Sequence, residues 1–187
     1  MSGLYSPILE QAGFLKRKAA AVVEQWVAQL DGAIQYWQFT VPISLVASDV
    51  VEFEFVGFEN SGTYKRFFGS TDFVLGLDTG VSGSEFRLNR IEYATLDSEA
   101  IGNGALIPNR GKLVCSVTES RDINTLGSIG ETRNIRAAIY NFKVIRNGTV
   151  IHEIRLNNKA QGATQLATVG NINAFMPNYT NAVWRKP

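Results

Sequence analysis

The sequence predicts a mainly β protein, an antiparallel two-sheet sandwich preceded by one N-terminal amphipathic α-helix. Three observations predict it. Apolar and polar residues alternate along much of the chain after residue 35. These short runs are separated by turns rich in Gly, Asn, Asp and Ser, the pattern of sandwiches and jelly rolls. A helical period is confined to residues 6–30. With 187 residues, 45% of them hydrophobic and 19% charged, the chain is sized for one domain with its own core.

Ser6-Pro7 predicts the helix start, with Ser6 as N-cap and Pro7 in the first helical position. Asp31-Gly32 predicts its end. Between them Ile8, Ala12, Leu15, Ala19, Val22 and Trp26 follow a 4-3-4-3-4 spacing, a coiled-coil-like seam. Leu9, Ala20, Val23, Val27 and Leu30 form a second stripe beside it. A helix of this length is marginal alone, so its broad apolar face must be covered. Two covers fit the pattern: the chain's own β domain, or an assembly in which the seam joins identical helices or a partner particle. The expected division is an oligomerisation or anchoring helix over residues 1–33 and a β-sandwich over residues 34–187.

From residue 35 the period is two. Trp37, Phe39, Val41, Ile43 and Leu45 alternate with polar neighbours, and Pro42 places this strand at an edge or gives it a bulge. In residues 50–58, Val51, Phe53 and Phe55 face one way and Glu52 and Glu54 the other. Shorter strands are expected at 66–68, 72–77, 85–89 and 90–96, between Asn60-Ser61-Gly62, Asp78-Thr79-Gly80 and Ser82-Gly83 turns. Residues 101–111 and 122–131 read as loops flanking a strand at 112–119. Residues 139–146 and 149–156 flank Asn147-Gly148, the preferred turn of a two-residue type I′ hairpin. The tail from Asn157 is polar until a short strand at Ala182-Val183-Trp184.

The charge balance and residue inventory exclude several classes. Lys plus Arg is 18 against 17 Asp plus Glu, without the basic excess of a nucleic-acid-binding domain. No run approaches the length of a membrane span, so membrane insertion is not expected. The first residues do not read as a secretion signal, which implies synthesis in a cytoplasm. His152 and Cys115 are the single histidine and cysteine. The first reads as a structural histidine and the second as a buried thiol, and no His/Cys metal cluster can form from them. No cofactor is expected. Calcium stays open at Asp72, Asp78, Asp97 and Asp122, although none follows the spaced D-x-D-x-D loop. For sugar stacking, Tyr64, Tyr93, Tyr179 and Trp184 are candidates by type, with core or rim packing as the competing reading.

Residues 136–187 carry a family resemblance. The run Ala138-Ile139-Tyr140-Asn141-Phe142-Lys143-Val144-Ile145-Arg146-Asn147-Gly148, the strand from Val150, the segment Ile154-Arg155-Leu156-Asn157-Asn158 and the terminal Asn181-Ala182-Val183-Trp184 resemble the closing part of concanavalin A-like (laminin G-like) domains. The strands at 36–45 and 52–56 stand where such domains open. The resemblance covers residues 35–187 and implies a two-sheet jelly roll of about a dozen strands. β-Glucanases sharing this fold use a third acid two residues beyond a pair such as Glu52 and Glu54; Val56 stands there, so the chain is expected not to be an enzyme. Compact versions behind a short helix are similar to modules in tail and capsid proteins of tailed bacteriophages. That likeness implies a virion structural protein made in the host cytoplasm, capsid- or tail-decorating, contacting other virion proteins and cell-surface carbohydrate. A homo-oligomer, a trimer above all, suits the helix; a free lectin-like module is the alternative.

Overall fold

A computed structural model of the chain describes residues 25–70, 72, 74–128 and 133–187. Its strands are, in order, β1 (Val27–Ala28), β2 (Trp37–Leu45), β3 (Val50–Val56), β4 (Arg66–Ser70), β5 (Gly76–Thr79), β6 (Phe86–Asn89), β7 (Ile91–Leu96) and β8 (Glu99–Ile101). Then come β9 (Arg110–Val117), β10 (Arg121–Leu126), β11 (Ala138–Arg146), β12 (Thr149–Ile154), β13 (Thr164–Gln165), β14 (Ala167–Val169), β15 (Ala174–Phe175) and β16 (Trp184–Arg185). One seven-stranded sheet runs β13-β15-β2-β10-β4-β5-β6 and a second runs β14-β12-β11-β3-β9-β7-β8, while β1 and β16 form a separate pair. The protein is therefore mainly β, built on two antiparallel sheets.

The two sheets share one aromatic interior. Alternation along β3 sends Val51, Phe53 and Phe55 inward, all essentially inaccessible to water. Phe67 and Phe68 of β4 both reach that layer because the β4–β5 register shifts between Arg66 and Phe68. Phe53 lies 5.9 Å from each of these rings, centroid to centroid. Further along the interface Phe39 of β2 meets Phe142 of β11 at 5.3 Å. These cross-sheet contacts make the molecule a β-sandwich.

The period-two readings at 36–45, 50–58 and 139–156 correspond to β2, β3 and the β11–β12 hairpin. Asn147 and Gly148 have φ values of 50° and 76°, which the type I′ turn requires at both positions. Pro42 occupies a bulge: Ile43 pairs with Ile123 and Gln38 with Thr125, leaving extra β2 residues between these partners. Val41 is 53% exposed as a result, against its expected inward position.

Four expectations are corrected. Residues 27–30, read as the last turn of the helix, are extended. Val27 and Ala28 pair with Arg185 and Trp184, and Leu30 N–H donates to the Ala137 carbonyl. The Asp31-Gly32 pair consequently ends a strand, with Asp31 Oδ1 accepting from the N–H groups of Ala33, Ile34 and Gln35. The remainder of the predicted helix, including Ile8, Ala12, Leu15, Ala19 and Val22, lies outside the described residues. Second, the expected loop at 122–131 begins as β10, a central strand between β2 and β4; its Asp and Asn suggest a turn, but ladder partners on both sides override that tendency. Third, the strand expected at 72–77 starts only at Gly76, because Ser70 and Asp72 hold a turn through bonds from Leu75 N and Val74 N. Asp78 and Thr79, expected in a turn, belong to β5. Fourth, the polar tail contributes edge strands to both sheets through β13, β14 and β15. The short strand β8 was also not anticipated, since Asp97-Ser98 makes its positive-φ turn (51° and 74°) without glycine.

Candidate functional site

The hairpin turn at Asn147-Gly148 returns β12 along β11, and the chain leaves β12 at the sheet edge through Arg155, Leu156 and Asn157. Leu156 is fully buried and has φ of 56°, which swings the chain away from the strand direction. Asn158 then opens a 3-10 turn over Lys159–Gln161, its Oδ1 accepting from Ala160 N–H at 3.1 Å. The buried Gln165 side chain clamps this turn. Its Oε1 accepts from Asn158 N–H at 3.0 Å, and its Nε2 donates to the carbonyls of Asn158 and Gly162 at 2.9 and 3.1 Å. The clamp satisfies polar groups that burial would otherwise leave unpaired.

Opposite this wall stands Trp26, anchored by the pairing of β1 with β16. Between them lies an open groove of about 780 Å³, lined by Trp26, Arg155, Asn157, Lys159, Thr168 and their neighbours. That volume is in the range of small-molecule sites. The Lys159 ammonium lies over the indole at 3.6 Å from the ring centroid, and the Lys186 ammonium approaches to 5.5 Å. Tyr179 supports the same region. Its hydroxyl donates to Asn181 Oδ1 at 2.6 Å and accepts from Trp184 Nε1 at 2.9 Å, with Gly162 directly beside the ring.

The sequence-predicted residues are distributed around the fold. Trp26 faces this groove, packed against the core of its own sandwich. Of the tyrosines, Tyr179 packs behind the groove, while Tyr93 is 47% exposed on β7, separated from β12 in the same sheet by β11, β3 and β9. Tyr64 precedes β4, and its hydroxyl bonds with Asp78 and Arg66. Burial and the Asp78 carboxylate push that hydroxyl above the ordinary phenol value, so it stays a donor. Trp184 is buried. Sequence reasoning missed Arg155, Lys159 and Thr168 as groove residues. Arg155 and Asn157 stood in the segment that carried the family resemblance, and their sharing a groove with a tryptophan far away in the chain left no local signal.

Other titratable groups are internally engaged. The thiol of Cys115 is buried and pushed up to about 12, so it is an inert core group. Burial and the Arg146 charge lower the His152 value and favour neutral imidazole. Asp72, Asp78, Asp97 and Asp122 bind separate partners: Arg121, Arg66, Lys112 N–H and Ser44 Oγ respectively. No grouping of three His, Cys, Asp or Glu side chains suited to a metal occurs among the described residues. No helix among them is long and apolar enough to cross a membrane.

Glu52 lies between Lys112 and Lys143, 3.1 Å from each ammonium, and its side chain is 14% exposed. Burial pushes its carboxyl up, but the two lysines outweigh this and hold it below its ordinary value. A lowered folded-state value means stabilisation at neutral pH that is lost as pH falls through that value. Glu52→Gln is expected to cost about 1 kcal/mol at pH 7. Urea unfolding at pH 7 and at about pH 3 checks this: the difference between the proteins should close in acid, and a pH-independent difference would refute the linkage.

Comparison of the chain with protein-family models, curated proteins and solved structures returned no match. The functional reading rests on the groove.

Proposed function

We propose that the chain is a non-enzymatic structural protein of a bacteriophage virion, a capsid or tail decoration whose β-sandwich contacts cell-surface glycans. The observation that carries the reading is the groove between Trp26 and residues 155–168: an aromatic ring, amide and hydroxyl side chains and two cations lining one open cleft. Saccharide recognition needs a partly apolar cleft wall with fixed polar groups for hydroxyls, and the Trp26 indole with the amide, hydroxyl and cationic side chains around it supplies such a wall. The pinning of Glu52 between two lysines favours a surface role for that acidic strand over acid–base chemistry. The β11–β12 hairpin and the two-sheet architecture support a concanavalin A-like jelly roll. The virion assignment follows from the resemblance to phage tail and capsid modules, and the groove carries the glycan contact.

In this reading residues 8–22 assemble or anchor the protein, and they precede Trp26 of the groove in the sequence. Assembly would join several weak saccharide sites, and avidity can multiply binding about 100-fold or more. The test combines light scattering with binding of the full chain to immobilised surface polysaccharides of bacteria. A trimer is expected, and Leu15→Asp/Val22→Asp should give a folded monomer with much weaker binding. A wild-type monomer that binds just as tightly would favour a free lectin-like module; absence of saccharide binding would overturn glycan contact altogether.

A further inference from the structure

We infer that the Trp26 groove selects anionic saccharides, those carrying carboxylate or sulfate groups, over neutral ones. The inference rests on the reading of this groove as the saccharide site and specifies its ligand. Three features of the groove lead to it.

The first is the occupied indole. The Lys159 ammonium sits 3.6 Å from the Trp26 ring centroid, within the range where the ring quadrupole holds a cation. A neutral pyranose would have to displace that ammonium to stack on the same face. An anionic sugar instead meets a positive charge already placed at the groove wall, with Lys186 close to the same ring. Trp26 thus acts as a mount for charge.

The second is Arg155. It is exposed at the exit of β12, lines the groove and has no ion-pair or hydrogen-bond partner for its guanidinium among the described residues. Its planar set of N–H donors matches carboxylate and sulfate oxygens two at a time. The third is the absence of opposing charge: among the described residues, none that lines the groove is acidic. The neighbouring Glu153 accepts from the Thr168 hydroxyl at 2.7 Å, next to the groove. A bound anion would have to tolerate that carboxylate.

The positive character is local. The chain as a whole carries a formal charge of +1, too little for the phosphate neutralisation that drives nucleic-acid binding. Asn157 and Thr168 add polar groups suited to sugar hydroxyls beside the cations.

The experiment measures binding of the full chain to polygalacturonate, dextran sulfate, a neutral panel of dextran, mannan and β-glucan, and a single-stranded DNA oligonucleotide. Wild type is compared with Arg155→Ala and Lys159→Gln, both exposed positions whose replacement leaves the core untouched. Binding to polygalacturonate or dextran sulfate is expected, weakened about tenfold in each variant and weakened by added salt. The first of these ligands reports carboxylate recognition and the second sulfate recognition. Neutral polysaccharides bound as tightly, with no effect of Arg155→Ala, would overturn the inference while leaving the saccharide reading intact. Equal or tighter binding of the oligonucleotide would overturn it in favour of a phosphate-backbone site. Failure to bind every polysaccharide would overturn both readings.

Discussion

Asp78→Ala is expected to destabilise the protein by about 3–5 kcal/mol. Arg66 and Asp78 form an ion pair whose two side chains are wholly inaccessible to water. A second contact from Arg66 Nη2 to Asp78 Oδ2 at 2.9 Å makes the pair bidentate. The Tyr64 hydroxyl and Asn89 Nδ2 also donate to the same carboxylate. The guanidinium crosses Gly69 and Gly76, where a Cβ would approach Arg66 atoms at 2.6 and 3.1 Å, so these two glycines make the room it occupies. Removing Asp78 takes away the counter-charge it supplies to a buried guanidinium and the acceptor of four donor atoms. Removing both charges avoids that penalty. Arg66→Met/Asp78→Leu should therefore cost less than Asp78→Ala alone, a non-additivity that denaturant titration would expose. A loss under about 1 kcal/mol for Asp78→Ala would mean that water reaches the pair.

Phe67→Ala is expected to cost a similar amount, about 3–5 kcal/mol, for a different reason. Phe67 has no exposed surface, and its ring centroid lies 5.2 Å from that of Phe55 and 5.9 Å from those of Phe53, Phe58 and Phe86. Truncation removes the transfer energy of the ring and leaves a cavity that four rigid neighbours cannot collapse into. It also breaks a contact between the two sheets, so the loss should appear as a lower unfolding midpoint with an unchanged denaturant slope. Tyr93→Ala, at a half-exposed position on the outer face of β7, serves as the control and should stay within about 0.5 kcal/mol of wild type. Comparable effects at the two positions would show that Phe67 is not a keystone of the interior.

The elements legible in the sequence were those whose pattern is local. Alternation along β3 and the β11–β12 hairpin needed no partner to be recognised, and Asn147-Gly148 defines its turn through its own φ preferences. Pro42 signalled an irregularity, and the structure places it in a bulge of an interior strand. β10 was illegible because Asp122, Asn124 and Thr125 favour turns locally, while β2 and β4 provide its ladder partners. Residues 26–30 misled for a related reason: the helical stripes ran on through Trp26, Val27 and Leu30, where Val27 and Leu30 are buried in an extended segment. Apolar residues a few positions apart satisfy a helix face and a short two-sided strand equally well.

By itself the sequence determined the mainly β class, the principal hairpin, the inert setting of Cys115 and the near-neutral charge, because each depends on residue type or nearest-neighbour spacing. Tertiary structure alone decided that Arg66 and Asp78 share a buried site and that Trp26 faces Arg155 and Lys159. The first depends on the β4–β5 register and the second on β1 meeting β16 near the edge left by β12. Such meetings are set by long-range strand pairing, and no local propensity encodes which distant strand a given edge will find.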